Sequence, residues 1–543
     1  MVESDATGAV DATEAVDAAG AVGQEASAEA RRVLREHFGY QDFRPHQVPV
    51  VEAIRAGRDV LAVMPTGAGK SICYQVPAML LGGLTIVVSP LISLMDDQVR
   101  SLKAAGIRGS YFNSSLKPHV RPEVLRRALA GWYDLMYVAP ERLQDPLFQD
   151  FARRANVPLV AVDEAHCVSQ WGQDFRPAYR EIHRFVESLP RRPVVAAFTA
   201  TATERVRDDI VSLVDLVDPL VEVGGFDRAN LRFAVHMLTP KQRIGWLVSY
   251  VRRHAREQGI VYATTRRRVE EIAEALAGEG FSVVSYHAGY DNAWRSRASK
   301  AFADDDCRVM VATNAFGMGI DKSNVRYVIG DGLPLSLEEY YQEAGRAGRD
   351  GEVAECHLLW SKRDVQTAHY LIDHTEFPEG TTEVDARRLI EAREGLFEKM
   401  ETYAKGETCL RNYILTYFGQ PVEGASCGCG SCSVCGWTEP RAAMAEPAST
   451  VRSQQMWSPY ADDYDLDPTL DPDQALFERL RRRRKEIADE AGLAPYMVFN
   501  DRTLREMVER RPRNEDELLE VHGVGLQKLQ RYGRAFLDVL RRA

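Results

Sequence analysis

No stretch of this sequence approaches the ~18 consecutive apolar residues of a membrane span, so no membrane-crossing helix and no membrane partner are expected. The first residues lack a basic segment ahead of an apolar core and do not read as a secretory signal. The expectation is a cytoplasmic protein whose cysteines stay reduced. Net positive charge is also missing: 68 basic side chains against 79 acidic ones leave −11. A polyanionic partner would therefore have to meet a local cationic surface. Residues 1–28 hold six acidic residues, no basic one and no bulky residue larger than Val at helical spacing, which predicts a disordered tail. The rest is ordinary globular composition, 27% charged and 45% hydrophobic over 543 residues, enough for roughly three to five domains.

From about Arg31 onward, short apolar runs alternate with helix-like stretches. The runs at 59–64, 84–89, 135–139, 159–162 and 194–198 are Val- and Ile-rich, as in strands buried on both faces of a parallel sheet. A second series follows at 260–263, 282–286, 309–313 and 325–329. The segment 218–240, with Pro and Gly, would join two α/β units. The predicted fold class is α/β with two tandem parallel-sheet domains at 29–217 and 218–360. A helical module at 361–435, a linker at 436–472 and a compact all-α segment at 473–543 follow.

Two motifs sit at predicted strand ends. Met64-Pro-Thr-Gly-Ala-Gly-Lys-Ser71 departs from the P-loop pattern only in having Met at its first position. Thr66, Gly67, Ala68 and Gly69 would bring backbone N–H groups to phosphates. Lys70 would add a point charge, Ser71 a hydroxyl for Mg²⁺, and the next helix its N-terminus. Asp163-Glu-Ala-His166 ends another run: Asp163 is placed to hold Mg²⁺ and Glu164 to orient and deprotonate an attacking water. Together they predict ATP hydrolysis.

With the motifs below, these segments resemble the RecQ family of DNA helicases of superfamily 2, from about Phe38 to Cys435 and again over the last 70 or so residues. The resemblance implies two RecA-like domains and an ATP-dependent 3′→5′ DNA helicase. It further implies single-stranded and partial-duplex DNA as partners, and recombination and repair proteins beside them. Phe38-Gly-Tyr-Gln-Asp-Phe-Arg-Pro-His-Gln47 looks like an adenine-reading motif, with Gln47 bonding the base edge and Tyr40 and Arg44 stacking on its face. Segments 89–98 and 137–143 look like DNA-contact motifs. The loop 167–179 resembles the family's aromatic-rich loop, in which Trp171 and Phe175 would stack on bases and Arg176 bind a phosphate. Thr199 and Thr201, in Phe198-Thr-Ala-Thr-Ala-Thr203, would couple hydrolysis to domain movement. Segments 311–322 and 341–351 match the second-lobe motifs. There Gln342 would contact ATP, while Arg346 and Arg349 would act as arginine fingers.

Of nine cysteines, Cys73, Cys167, Cys307 and Cys356 are scattered and read as buried small hydrophobes. Cys429, Cys432 and Cys435 have tight zinc-ligand spacing. Cys409 and Cys427 compete for the fourth position, and resemblance to the family's zinc module favours Cys409, with Zn²⁺ structural.

The last segment resembles an HRDC domain. It carries 16 basic against 13 acidic residues from 473 on, a modest cationic bias inside an acidic chain. Gly523 and Gly525 would permit a turn whose N–H groups face phosphate, with Lys528 and Arg531 nearby. A protein-docking bundle is the alternative. Family members typically carry a winged-helix domain between the zinc module and HRDC; 37 residues at 436–472 are too few for one. ATP hydrolysis and translocation are expected to survive that loss. A translocase or remodelling motor, an RNA helicase and a non-enzymatic zinc DNA-binding protein remain the competing readings.

Overall fold

The computed structural model describes residues 28–169, 175–316, 322–375, 382–420, 422, 428–438 and 471–542. Trp171, Cys427, the tail 1–27 and linker residues 439–470 lie outside the described residues. No helix among the described residues is long and apolar enough to cross a membrane.

Seven parallel strands form the first sheet: β1 (Val60–Val63), β2 (Thr85–Val88), β3 (Gly109–Phe112), β4 (Leu135–Val138), β5 (Leu159–Val162), β6 (Val194–Thr199) and β7 (Leu220–Val223), in the order β3-β4-β2-β5-β6-β1-β7. β1, β2, β4 and β5 are buried at every position, because crossover helices cover both faces. That order sets the C-terminal ends of β5, β6 and β1 side by side. The DEAH box, the Thr199–Thr201 segment and the P-loop therefore converge on one edge of the sheet, where α/β folds bind ligands.

The second sheet holds β8 (Leu231–Met237), β9 (Gln258–Ala263), β10 (Val283–Tyr286), β11 (Val309–Ala312), β12 (Val325–Asp331) and β13 (Ala354–Trp360), in the order β10-β11-β9-β12-β13-β8. All its neighbouring strands run parallel, as in the first sheet. The change of lobe comes later than the expected 217/218 boundary, because β7 pairs with β1 of the first sheet. The segment 218–240 holds two strands, β7 and β8, with 224–230 between them.

Helices Lys362–Asp373, Glu383–Lys405 and Leu410–Tyr417 build the zinc module against the second lobe. Phe233 of β8 bridges to Cys432, and Phe226 stacks on Phe418 at 4.4 Å. The C-terminal segment has a core of its own around Leu480, Phe499, Leu504, Met507 and Phe536.

Candidate ATP site and zinc centre

The P-loop leaves β1 and wraps into the helix Ile72–Leu80. Gly67 and Gly69 both sit at φ +80°, where a side chain is strained, and a Cβ on Gly69 would lie 2.5 Å from Gln47 Nε2. Lys70 Nζ and Thr66 Oγ1 are buried and make no hydrogen bond. Lys70 Nζ stands 4.0 Å from Glu164 Oε1. Buried donors without partners are costly unless a ligand meets them, which fits a loop built to receive a nucleotide phosphate.

Glu164 adopts a left-handed backbone, φ 48° and ψ 47°, as β5 turns into the DEAH box. Strained non-glycine residues of this kind cluster at functional sites. Asp163 Oδ1 accepts from the Glu164 N–H at 3.0 Å. Burial, and then the charge of Glu164, push the Asp163 carboxyl up to about 7, against the pull of Lys70. Burial pushes Glu164 up as well, but Lys70, His166, Arg346 and Arg349 outweigh it, and its carboxyl lies below the ordinary value. Cations from both lobes thus keep Glu164 ionised.

Arg346 is buried in the turn after the helix Leu337–Ala344, and its Nε has no hydrogen-bond partner. A Cβ on Gly345 would lie 2.0 Å from Thr66 Oγ1, so the second lobe stands directly on the P-loop. Gln342 Nε2 donates to Thr201 Oγ1 at 3.3 Å, across the cleft. Thr201 belongs to a chain of hydrogen bonds. Thr199 Oγ1 donates to Thr201 O at 3.0 Å, and His166 Nδ1 lies 2.9 Å from Thr199 Oγ1.

Both ends of the Gln47 amide are in use. Oε1 accepts from the Arg44 N–H at 2.8 Å, and Nε2 donates to Ala68 O and Gly69 O at 3.0 and 3.2 Å. Arg44 Nη1 donates to Gly67 O. The adenine-reading segment is therefore bonded to the P-loop itself. Tyr40 lies 5.4 Å, ring to ring, from His522 of the C-terminal domain. Arg180 stands over the Phe175 ring at 5.1 Å, and Arg176 Nη1 donates to Pro90 O at 2.8 Å. Trp171 lies outside the described residues.

Cys409, Cys429, Cys432 and Cys435 bring four sulfurs within 4.8 Å of one another, and the Cys409 and Cys432 sulfurs are 3.9 Å apart. A tetrahedral zinc with bonds of ~2.3 Å needs sulfurs about 3.8 Å apart, so the donor set fits Zn²⁺. Cys409 is the N-cap of the helix Leu410–Tyr417 rather than a residue within it. Ser431 N donates to Cys429 Sγ at 3.4 Å, a bond suited to a thiolate. The competitor, Cys427, lies outside the described residues. Cys73, Cys167, Cys307 and Cys356 are buried as expected.

The C-terminal domain rests on both lobes. Gly525 packs against the Gly39 backbone, and Arg531 Nη1 donates to Ala104 O at 3.1 Å in the first lobe. On the second lobe, Asp305 accepts from Arg481 at 3.2 Å and Arg484 at 3.4 Å, Lys485 pairs with Asp306, and Arg505 pairs with Glu352 at 3.0 Å. The turn expected to face phosphate is here an intramolecular contact. Sequence reasoning missed this face, and it missed Arg411. That side chain pairs with Asp227 and donates to Ser431 Oγ and Leu231 O, tying the zinc loop to the lobe junction. Neither has a local signal, since each depends on which segments meet in three dimensions.

Four family models match in order: the DEAD/DEAH box helicase domain over 44–210, the helicase conserved C-terminal domain over 242–351, RecQ zinc-binding over 362–436 and the HRDC domain over 473–540. The chain is 37% identical to the ATP-dependent DNA helicase RecQ of Bacillus subtilis, over 94% of this chain and 98% of that one. It is 34% identical to the protein of the same name in Pasteurella multocida, over 94% and 93%. A solved DEAD-box helicase bound to single-stranded RNA superposes with a TM-score of 0.55 at 16% identity, over 73% of this chain and 88% of that one, a likeness of fold. With relatives matched over nearly their full length and all four domain types present in order, the chain belongs to the RecQ family of ATP-dependent DNA helicases.

Proposed function

We propose that this helicase moves 3′→5′ along single-stranded DNA and separates duplex ahead of it, in recombination and repair, within a reducing cytoplasm. The observation that carries the motor reading is the apposition of the two lobes at the P-loop: a Cβ on Gly345 would lie 2.0 Å from Thr66 Oγ1 and one on Gly67 3.5 Å from Arg349 Cγ, beside Lys70 and Glu164, which stand 4.0 Å apart. Each lobe holds half of a hydrolytic site, so hydrolysis requires closure and its products release it.

Glu164 is ionised and placed to orient a water and take its proton. Lys70 and the N-terminus of the helix Ile72–Leu80 bind phosphate, and Arg346 and Arg349 add charge from the opposite side. Ser71 and Asp163 are the residues that would hold Mg²⁺, and the buried Asp163 carboxyl suits a cation partner. That ion would neutralise phosphate charge during transfer. The bonds His166–Thr199–Thr201–Gln342 offer a route by which the state of the DEAH box reaches the second lobe. Zinc ligation by four thiolates suits the reducing compartment.

The alignment with the Bacillus subtilis relative runs over 596 positions, at least 53 more than the 543 residues here. The relative therefore carries stretches that this chain lacks, which fits loss of the winged-helix domain and favours a second reading, a translocase or remodelling motor with weak strand separation. A duplex with either a 3′ or a 5′ single-stranded tail, assayed with ATP and Mg²⁺ and a Lys70→Ala control, distinguishes them. Unwinding of the 3′-tailed substrate alone supports the proposal. DNA-stimulated hydrolysis without strand separation supports the second reading, and no DNA-stimulated hydrolysis contradicts both.

A further inference from the structure

Residues 224–230 are the short crossing between the two sheets, and they carry a cation that the hydrolytic scheme above does not use. Arg228 Nη1 donates to Thr66 O at 2.8 Å and to Gly345 O at 3.4 Å. Its Nη2 donates to Ala347 O and Gly348 O, both at 2.9 Å. Its Nε reaches Asn230 Oδ1 at 3.4 Å. No carboxylate is among these partners: the guanidinium spends its donors on main-chain carbonyls from two segments. One segment is the P-loop of the first lobe. The other is the turn of the second lobe that carries Arg346, and the bonded carbonyls of Gly345 and Ala347 flank that residue on both sides.

A guanidinium is a rigid planar fork, so the carbonyls it binds are held at fixed separations. A partly buried cation that satisfies its donors only by bridging two segments loses those bonds if the segments part. Asn230 braces the same turn, its Nδ2 donating to Gly348 O at 2.9 Å and Glu352 O at 2.8 Å. A Cβ on Gly348 would lie 2.4 Å from that amide nitrogen, so the turn leaves no room for a looser arrangement. The strap is anchored at its other end. Arg411 of the zinc module holds Asp227 and the Leu231 carbonyl, and Tyr341 donates to Phe226 O at 2.8 Å.

We infer that Arg228 is a positioning residue for ATP hydrolysis: by bridging the P-loop backbone to the backbone on either side of Arg346, it sets where the second lobe's arginines stand relative to the phosphate site. The inference rests on the reading that Arg346 completes the hydrolytic site. It assigns Arg228 no contact with ATP, so its loss acts on turnover and not on nucleotide affinity. A displacement of about 1 Å in a catalytic group can cost on the order of 100-fold in rate, which sets the scale of the effect.

The test is a double-mutant cycle in the full chain, reading DNA-stimulated ATP hydrolysis for the unaltered protein, Arg228→Ala, Arg346→Ala and the double variant, with zinc content and thermal unfolding measured on each. Arg228→Lys is the second probe, because it keeps a cation but cannot hold four carbonyls from one ammonium. The expected result is a fall in kcat of roughly 30- to 100-fold for Arg228→Ala and at least about 10-fold for Arg228→Lys, with KM for ATP within about 3-fold. In the Arg346→Ala background, adding Arg228→Ala should cost less than about 3-fold more, since the residue it positions is already gone. Equal losses in both backgrounds, a change confined to KM, or Arg228→Lys turning over at the unaltered rate would overturn the inference while leaving Arg346 in its role. Full hydrolysis by Arg346→Ala would overturn the reading of Arg346 and this inference with it.

Discussion

Gln342 of the second lobe donates a 3.3 Å hydrogen bond to Thr201 of the first, which joins the segment expected to contact ATP to the segment expected to couple its hydrolysis. Both residues belong to motifs visible in the sequence. Their pairing was not visible, because it depends on how two separately folded sheets face each other.

That pairing makes a prediction. Thr201→Val removes the acceptor without changing shape, and a single neutral hydrogen bond is worth about 0.5–1.5 kcal/mol, or roughly 2- to 10-fold in rate. Hydrolysis should fall within that range, while strand separation falls further, so that more ATP is consumed per duplex opened. Following both reactions in one tube checks it; a proportional fall in the two would contradict the coupling role.

The loop 428–438 sits against β8 through the Phe233–Cys432 bridge and Arg411, and zinc bound by its cysteines would fix it there. Cys432→Ser should lose bound zinc and lower the unfolding temperature. Cys427→Ser should keep one zinc per chain. Metal analysis of the two variants reads this directly, and zinc loss in Cys427→Ser would instead make Cys427 the fourth ligand.

The parts of the fold that were legible are those with local causes. Strands buried in the sheets announce themselves as Val-rich runs, and β1, β2, β4, β5, β6, β9, β10, β11 and β12 fall where such runs stand. β3 and β7 carry partly exposed positions and no comparable run. β8 and β13 were missed because Arg232, His236, Glu355 and His357 interrupt their apolar pattern; the histidines and Glu355 bond one another in place of water. In the site, Lys70, Asp163, Glu164 and Arg346 were legible from motif spacing. Arg228 and Arg411 were not, since their partners (main-chain carbonyls for Arg228; Asp227, Ser431 and the Leu231 carbonyl for Arg411) are mostly on segments distant in sequence.

Asp304 gives a pH signature. Burial, with Asp306 and Asp489 beside it, raises its carboxyl from 3.8 to about 6, against Lys300 and Lys322. The folded state therefore keeps this proton to higher pH than the unfolded chain does. The stability it contributes is fully present below about pH 4 and is lost as pH rises through about 6. Asp304→Asn should raise stability by about 1 kcal/mol at pH 7.5 and leave it unchanged near pH 4. Denaturant titrations at the two pH values measure this, and equal effects at both would contradict it.

Asp305 is the counter-charge for Lys322 of the second lobe and for Arg481 and Arg484 of the C-terminal domain. Removing one partner from a buried ionic cluster costs about 3–5 kcal/mol. Asp305→Ala should undock the C-terminal domain, which has its own core, and split calorimetric unfolding into two transitions. A single transition at the unaltered temperature would show that the docking does not depend on this cluster.

A hydrolytic site shared between the lobes is tested by ATP binding and DNA-stimulated hydrolysis for Arg346→Ala and Arg349→Ala beside the unaltered chain. ATP affinity should stay within about 3-fold, and kcat should fall about 10³-fold or more for each arginine. Hydrolysis at the unaltered rate in both variants would show that the first lobe alone carries the chemistry.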